Sequence, residues 1–137
     1  MHKTIPLVLI AALAGCTMGP PQPPTPLDAR QQTRLDQLLG GKVAGMPQSC
    51  LSSWRTQDMT VIDDSTIIFR ESSNKVWLQK PQGPCDRLSS PSYALVTRST
   101  QTQLCRGDIG QVLDPTTNIT AGSCVMGDFV PYTRPGA

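Results

Sequence analysis

The stretch "MTVIDDSTIIFR", residues 59 to 70, carries the clearest fold signal in the chain. β-Branched and other apolar residues fill both of its halves, and the polar segment Asp63-Asp64-Ser65 separates them. Runs rich in valine, isoleucine and threonine favour extended structure, and a short polar segment between two such runs favours a turn. The stretch therefore predicts a β-hairpin.

Further short apolar runs follow the hairpin, and proline, glycine and serine residues separate them. These runs are "KVWLQK" (75–80), "YALVTR" (93–98), "IGQVLD" (109–114) and "CVMGDFVPY" (124–132). Proline donates no backbone hydrogen bond, so Pro131 indicates an edge strand or a strand end in the last run. The pattern predicts an all-β fold of five to seven short strands, either an antiparallel meander or a small barrel-like domain.

A short helix is predicted on the N-terminal side of the strands, within residues 28–41. Asp28 is a suitable cap, Leu35, Leu38 and Leu39 recur at helical spacing, and Gly40-Gly41 is a natural stop. The apolar stripe is narrow, which favours loose docking. The aromatic residues all lie beyond residue 50, so the core is expected between Cys50 and Tyr132, within a β domain of residues 42–137; they are Trp54, Phe69, Trp77, Tyr93, Phe129 and Tyr132.

The start of the chain has the features of a bacterial lipoprotein signal. The apolar run from Ile5 to Leu13 follows Lys3 and is shorter than the about 20 residues that a membrane-spanning helix needs. It ends in Leu13-Ala14-Gly15-Cys16, the lipobox pattern, in which small residues precede a cysteine whose sulfur takes a diacylglyceryl group. We expect residues 1–15 to be a signal peptide and Cys16 to be lipidated. Thr17, rather than an aspartate, favours the periplasmic face of the outer membrane.

A proline-rich tether is predicted between the lipid and the helix, in residues 16–27. Its five prolines are Pro20, Pro21, Pro23, Pro24 and Pro26. Proline fixes the backbone and lacks an amide hydrogen, so the segment favours extended polyproline II at about 3 Å per residue. We expect a semi-rigid stalk that holds the domain away from the membrane.

The charge balance argues against nucleic-acid binding. Lys3 is the only charged residue of the signal, so its removal leaves eleven of the twelve basic side chains and all ten acidic ones. A nucleic-acid-binding domain normally shows a clustered basic face. The basic residues here are dispersed and are expected to be ordinary solvated surface; they include Arg55, Arg70, Lys75, Lys80, Arg87, Arg98 and Arg106.

No catalytic or metal-binding pattern is recognisable, and we expect no enzyme activity, no cofactor and no metal site. The only histidine, His2, lies in the signal, which leaves the mature chain without histidine for triad catalysis or the usual zinc sites. The cysteines form no Cys-x-x-Cys motif. Most aspartates lie where turns are predicted and need no catalytic role, namely Asp63, Asp64, Asp114, Asp128 and Asp108 of the Arg106-Gly107-Asp108 sequence.

The four remaining cysteines, Cys50, Cys85, Cys105 and Cys124, predict two disulfides in the oxidising periplasm. Four cysteines allow three pairings, and sequence alone does not choose among them. We favour Cys50 with Cys85 and Cys105 with Cys124, because each loop then encloses a local group of strands.

The segments "GKVAGMPQSC", "VIDDSTIIFR", "GPC", "LCRGDI" and "GSCVMGDFVPY" resemble a widespread family of small secreted or lipid-anchored Gram-negative envelope proteins, catalogued as a domain of unknown function. The resemblance covers roughly residues 41–132. It implies an envelope location and this fold type, and it implies no mechanism.

Two functions are therefore expected. The preferred one is a non-enzymatic, lipid-anchored envelope protein that presents a small β domain to a protein or an envelope component. The alternative is an inhibitor of a periplasmic hydrolase or a carrier of a small apolar ligand. An exposed patch around Trp54 or Trp77 would favour a partner surface, and a continuous apolar pocket would favour a carrier. Both tryptophans are expected to pack in the core.

Overall fold

The computed structural model describes residues 23, 25–98 and 102–137. Within this part of the chain, one α-helix and ten short strands form the regular structure, together with a 3₁₀ turn at Ser53–Thr56. The elements are α1 (Ala29–Leu39), β1 (Val43–Ala44), β2 (Cys50–Ser52), β3 (Met59–Asp63), β4 (Thr66–Arg70), β5 (Lys75–Gln79), β6 (Ala94–Thr97), β7 (Gln103–Cys105), β8 (Ile109–Leu113), β9 (Thr120–Val125) and β10 (Phe129–Thr133).

The strands form three antiparallel sheets. The largest has the order β1-β10-β5-β4-β3, a second pairs β2 with β7, and a third has the order β6-β8-β9. Among the described strands, consecutive ones are neighbours only in β3-β4-β5 and β8-β9, so their order is not that of a simple meander, and these sheets form no closed barrel. The predicted all-β class with a short N-terminal helix is confirmed.

The five-stranded sheet separates two apolar clusters. Side chains alternate across a strand, so Phe69 and Trp77 face one side, and Ile68 and Val76 face the other. The first side joins the main core, which also holds Met126 and residues of the two smaller sheets: Leu51, Leu104, Val112 and Cys124. The second side packs against α1. The molecule therefore has three layers, with the large sheet in the middle.

Helix α1 begins and ends where the sequence predicts. The Asp28 carboxylate accepts a hydrogen bond from the Gln31 backbone N–H at 2.8 Å, and the Gln31 side chain accepts one from the Asp28 N–H at 2.9 Å. This reciprocal pair satisfies two free donors of the first turn. Gly40 follows the last helical residue, and Gly41 has φ +69°, which glycine adopts without strain.

The leucine stripe of α1 is packed more closely than loose docking implies. Leu35, Leu38 and Leu39, together with Leu27 before the helix, lie against Ile62, Ile68 and Val76. These three sheet residues are 5%, 1% and 2% exposed, so the helix covers their face of the sheet. Apolar packing thus reaches back to Leu27, well before the predicted start of the core near Cys50.

The hairpin of residues 59–70 is confirmed, with Met59 opposite Phe69 and Val61 opposite Ile67. The chain has more strands than the five to seven predicted, because β1, β2 and β7 are two or three residues long. The run "CVMGDFVPY" is not one closing strand. It contains the end of β9 and most of β10, which belong to different sheets.

Pro131 lies in an inner strand, so the predicted edge position is wrong. Its strand β10 has β5 on one side and β1 on the other. The carbonyl of Pro131 accepts a hydrogen bond from Gly45 at 2.7 Å, so the side of Pro131 that lacks an N–H faces the β1 segment. There β1 has already ended at Ala44, and pairing resumes only at Gln48, opposite Phe129. The proline is tolerated because its partner strand is interrupted beside it.

The predicted disulfide pairing is also wrong. Cys50 is joined to Cys105 and Cys85 to Cys124, which is the interleaved one of the three possible pairings. Strands β2 and β7, far apart in sequence, pair so that Cys50 lies directly opposite Cys105. The physical cause of the pairing is therefore long-range strand contact, whereas the prediction assumed that each disulfide encloses a local group of strands.

Candidate binding surface around Trp54

The two tryptophans have different environments. Trp77 is 1% exposed in the main core, as predicted, whereas Trp54 is 56% exposed. Trp54 lies in the 3₁₀ turn that follows β2, a segment with polar neighbours on both sides. Those neighbours, Ser52, Ser53, Arg55 and Thr56, are the sequence signal that separates it from Trp77.

Arg55 joins the exposed tryptophan to the buried one. Its guanidinium carbon lies 4.6 Å from the centre of the Trp54 ring and 5.7 Å from that of Trp77. Both distances are within the range of cation–π attraction. The Arg55 side chain is only 28% exposed, so this residue is not the solvated surface residue that its sequence position suggested.

Glu71 anchors this arrangement from the end of β4. Its Oε2 atom accepts a 2.7 Å hydrogen bond from the Trp77 indole nitrogen, and it lies 3.4 Å from Arg55 Nε and 3.5 Å from Lys75 Nζ. Lys75 Nζ also lies 4.7 Å from the centre of the Trp77 ring. One carboxylate oxygen thus holds both cations against the aromatic rings. We call Trp54, Arg55, Glu71, Lys75 and Trp77 the Trp54 cluster.

The backbone under Trp54 is fixed by neighbouring elements. The N–H of Ser53 donates to the Thr102 carbonyl at 2.9 Å, and the Thr56 hydroxyl donates to the Ser53 carbonyl at 2.7 Å. Three residues before Ser53, the Cys50–Cys105 disulfide joins β2 to β7. The exposed ring is therefore carried on a constrained backbone segment.

The aspartates singled out in the sequence have structural partners. Asp63 accepts from the Ser65 N–H at 3.2 Å and Asp108 from the Cys105 N–H at 2.8 Å, which confirms their turn roles. A hydrogen bond from the Thr116 backbone N–H lowers the pKa of Asp114. Asp128 forms an ion pair with Arg106 at 3.2 Å.

Asp64 does more than shape the hairpin turn. Its carboxylate accepts hydrogen bonds from the backbone N–H groups of Arg87 at 3.1 Å and Ser89 at 2.7 Å, and its carbonyl accepts one from Cys85 at 2.6 Å. The turn therefore holds the loop that carries the buried disulfide. Among the described residues, no group of three or more histidine, cysteine, aspartate or glutamate side chains is placed to hold a metal ion.

A groove of about 480 Å³ lies between the segment before α1 and the β3–β4 turn. Leu27 and Leu35 line one wall and Pro81 and Pro84 the other, with Lys80 and Asp63 among its polar groups. The groove is partly open to solvent, and polar residues interrupt its apolar lining, whereas a continuous apolar pocket is the feature expected of a carrier.

The predicted signal peptide, Cys16, the tether through Gln22 and Pro24 lie outside the described part of the chain. No helix among the described residues is both long and apolar enough to cross a membrane. Comparison with models of protein families, with curated proteins and with solved structures found no match to this chain.

Proposed function

We propose that the protein is a non-enzymatic, lipid-anchored envelope protein that uses the Trp54 cluster to bind another protein or an envelope component. The observation that carries this proposal is the exposed Trp54 ring stacked on Arg55. Tryptophan and arginine are the residue types most enriched among the side chains that dominate binding energy at protein interfaces. A tryptophan packed only for stability would be covered, as Trp77 is.

The ion pairs of the Trp54 cluster hold its side chains in place before a partner binds. Arg55 and Lys75 are both paired with Glu71, which neutralises one of their two positive charges and leaves the cluster with a net positive charge. Arg55 lies close to both tryptophan rings, and these contacts limit its conformational freedom before binding. A partner therefore meets a largely pre-ordered aromatic surface with a net positive charge.

The anchoring part of the proposal rests on the sequence Leu13-Ala14-Gly15-Cys16 and on the prolines that follow it. Cys16 would carry the lipid at the periplasmic face of the outer membrane, and the family resemblance supports an envelope location. Two or more acyl chains hold a protein firmly on a bilayer, whereas one chain binds marginally. Cys16→Ser should therefore move the protein out of the membrane fraction. A variant that fractionates with membranes as the parent does would contradict lipid anchoring.

The binding part is tested by retention of solubilised envelope proteins and polymers on the immobilised parent domain, the Trp54→Ala variant and the Ile119→Ala variant. Ile119 is a matched control, because it is a 66% exposed apolar residue outside the Trp54 cluster. We expect a component retained by the parent and by Ile119→Ala, with affinity for Trp54→Ala at least about tenfold lower. The melting temperatures should differ little, since an exposed ring contributes little to folding.

Two outcomes would overturn the binding proposal. One is a component that all three proteins retain equally. The other is loss of binding in both alanine variants, which would indicate non-specific adsorption to apolar surface. Quenching or a blue shift of Trp54 fluorescence on titration with the isolated component would place the contact at this ring.

A further inference from the structure

Strand β3 is one edge of the five-stranded sheet, and its register shows which backbone groups face outward. The Arg70 N–H donates to the Asp58 carbonyl at 2.8 Å, which makes Asp58 and Arg70 a hydrogen-bonded pair. Such pairs alternate with non-hydrogen-bonded ones along an antiparallel ladder. Thr60 therefore bonds towards β4, opposite Ile68, while the N–H and C=O groups of Met59 and Val61 point away from the sheet.

These outward groups have no backbone partner in the described part of the chain. Among residues 23, 25–98 and 102–137, no backbone hydrogen bond joins Met59 or Val61 to a turn, loop or strand on the outer side of β3. An edge of this kind is a ready template for another strand. The groups are two donors and two acceptors, which is the pattern that one further antiparallel strand satisfies.

The two edges of the sheet differ in how they are protected. At the opposite edge, β1 has two residues, and Gly45 and Pro47 end it. Strand β3 has five residues, and residues 59–62 contain no proline, glycine or charge. Proline, charged side chains and short length are the usual means by which natural proteins block edge pairing. Asp63, the last residue of β3, is charged and lies beyond the register shift, so residues 59–62 are the part of this edge that neither charge nor proline protects.

We propose that the β3 edge pairs with the β3 edge of a second copy of this chain, antiparallel and with the two-fold axis at Thr60. Met59 of each copy then lies opposite Val61 of the other. The backbone N–H and C=O groups of both residues point towards the other copy. The two symmetric pairs form four backbone hydrogen bonds. The two five-stranded sheets become one continuous sheet of ten strands.

A second copy fits this edge in side-chain chemistry as well. Met59 and Val61 border the main core on the same face of the sheet, so each pair brings two apolar side chains together. Asp58 lies opposite Ile62 of the other copy, and so no like charges oppose each other. Asp58 is also within 3.7 Å of Arg70 in its own chain. The edge is thus complementary to itself in its backbone hydrogen bonds, and the pairing brings apolar side chains together without opposing like charges.

The contact is small, and this sets the expected strength. Four backbone bonds and the flanking side chains bury less than the about 1,200 Å² of a stable interface, so the dimer should be weak and concentration-dependent. The bulge between Val61 and Asp63 limits how far the pairing extends. The inference does not depend on the Trp54 cluster, which is tested separately.

Sedimentation of residues 16–137 carrying Cys16→Ser tests the proposal without lipid-driven association. We expect a monomer–dimer equilibrium over a range up to about 1 mM. Met59→Pro should make the protein monomeric, because it removes an outward N–H at the first residue of the strand without removing a bond to β4. Met59→Ala is the matched control: it loses the same side chain but keeps the N–H, and it should still dimerise. A monomeric parent at the highest concentration would overturn the proposal.

Cysteine cross-linking tests the register. Thr60 lies on the two-fold axis and is therefore opposite Thr60 of the second copy. This is a non-hydrogen-bonded position of the new ladder, where Cα atoms are about 4.5 Å apart and a disulfide can form. Thr60→Cys should yield a covalent dimer under mild oxidation, and Ile119→Cys, at an exposed site elsewhere, should not. Equal cross-linking of the two variants would show random collision and would contradict the register. In the sedimentation experiment, loss of the dimer in both Met59→Pro and Met59→Ala would contradict pairing through the backbone.

Discussion

The amide group of Gln79 is buried in the main core, and neither its nitrogen nor its oxygen has a hydrogen-bond partner among the described residues. Its strand neighbours are Ile67 and Phe129, both fully buried. A buried polar group without a partner costs about 1–3 kcal/mol, and replacing it with an apolar group of similar shape removes that cost. We therefore expect Gln79→Met to raise the free energy of unfolding by about 1 kcal/mol.

Denaturant unfolding of Gln79→Met and of Gln111→Met as a control measures this. Gln111 lies half-buried on β8, and its replacement should have a smaller effect. Unfolding of Gln79→Met at a clearly lower denaturant concentration than the parent would mean that the Gln79 amide is hydrogen bonded in solution.

At Gly127, close packing leaves room for glycine but not for a residue with a side chain. A Cβ atom at this position would overlap the backbone carbonyl of Lys80. The chain leaves β9 and enters β10 here, passing directly against the end of β5. The predicted turn at Asp128 thus depends on a glycine beside it, and the reason is contact with a strand that is distant in sequence.

At the scale of elements, α1 is a stabilising layer of the domain. Leu35 and Leu38 are half-buried against the second apolar cluster. Truncating both to alanine should cost about 2–3 kcal/mol, which is less than two fully buried leucines would cost. For a domain of this size the melting temperature should fall by roughly 10 °C. Arg30→Ala with Arg34→Ala, on exposed positions of the same helix, is the control.

Thermal unfolding monitored by circular dichroism distinguishes a stabilising helix α1 from a loosely docked one. If the leucine variant and the arginine control have the same melting temperature, the helix contributes little to stability, and the domain folds independently of residues 28–41. Removal of residues before Lys42 should destabilise still more, because it uncovers Ile62, Ile68 and Val76 together.

The sequence predicts elements well where the information is local. The hairpin of residues 59–70 and the ends of α1 follow from period, turn residues and capping groups. Strands β2 and β7 have no such signal, because "CLS" and "QLC" are too short to show a period. They exist because they pair with each other across 55 residues. The predicted disulfides failed for the same reason.

The Trp54 cluster shows the same limit of sequence-based prediction. The exposure of Trp54 is indicated by its polar neighbours, but its partners are not. Arg55 and Glu71 meet only because β4 passes beside the 3₁₀ turn, and Lys75 joins them across the β4–β5 turn. The sequence alone does not show that these residues lie close together in space.

At the scale of the whole molecule, one disulfide joins β2 to β7 within the two-stranded sheet, and the other joins the loop after β5 to β9 of the three-stranded sheet. The Cys50–Cys105 and Cys85–Cys124 loops span 55 and 39 residues, and each link should contribute about 4 kcal/mol by its effect on the unfolded chain. That is a large share of the stability of a small domain. The two links differ in access: Cys85 and Cys124 are 0% and 5% exposed, whereas Cys50 and Cys105 are only partly buried.

Thiol attack requires access to sulfur, so mild reduction of the native protein should open Cys50–Cys105 first. Alkylation and peptide mapping should then find a species with Cys50 and Cys105 modified and Cys85 still joined to Cys124. Because Ser53 and Trp54 follow β2 directly, this species should show altered Trp54 fluorescence while the main core stays folded. Modification of Cys85 and Cys124 at the same rate would mean that reduction proceeds through global unfolding, and a peptide joining Cys50 to Cys85 would contradict the pairing itself.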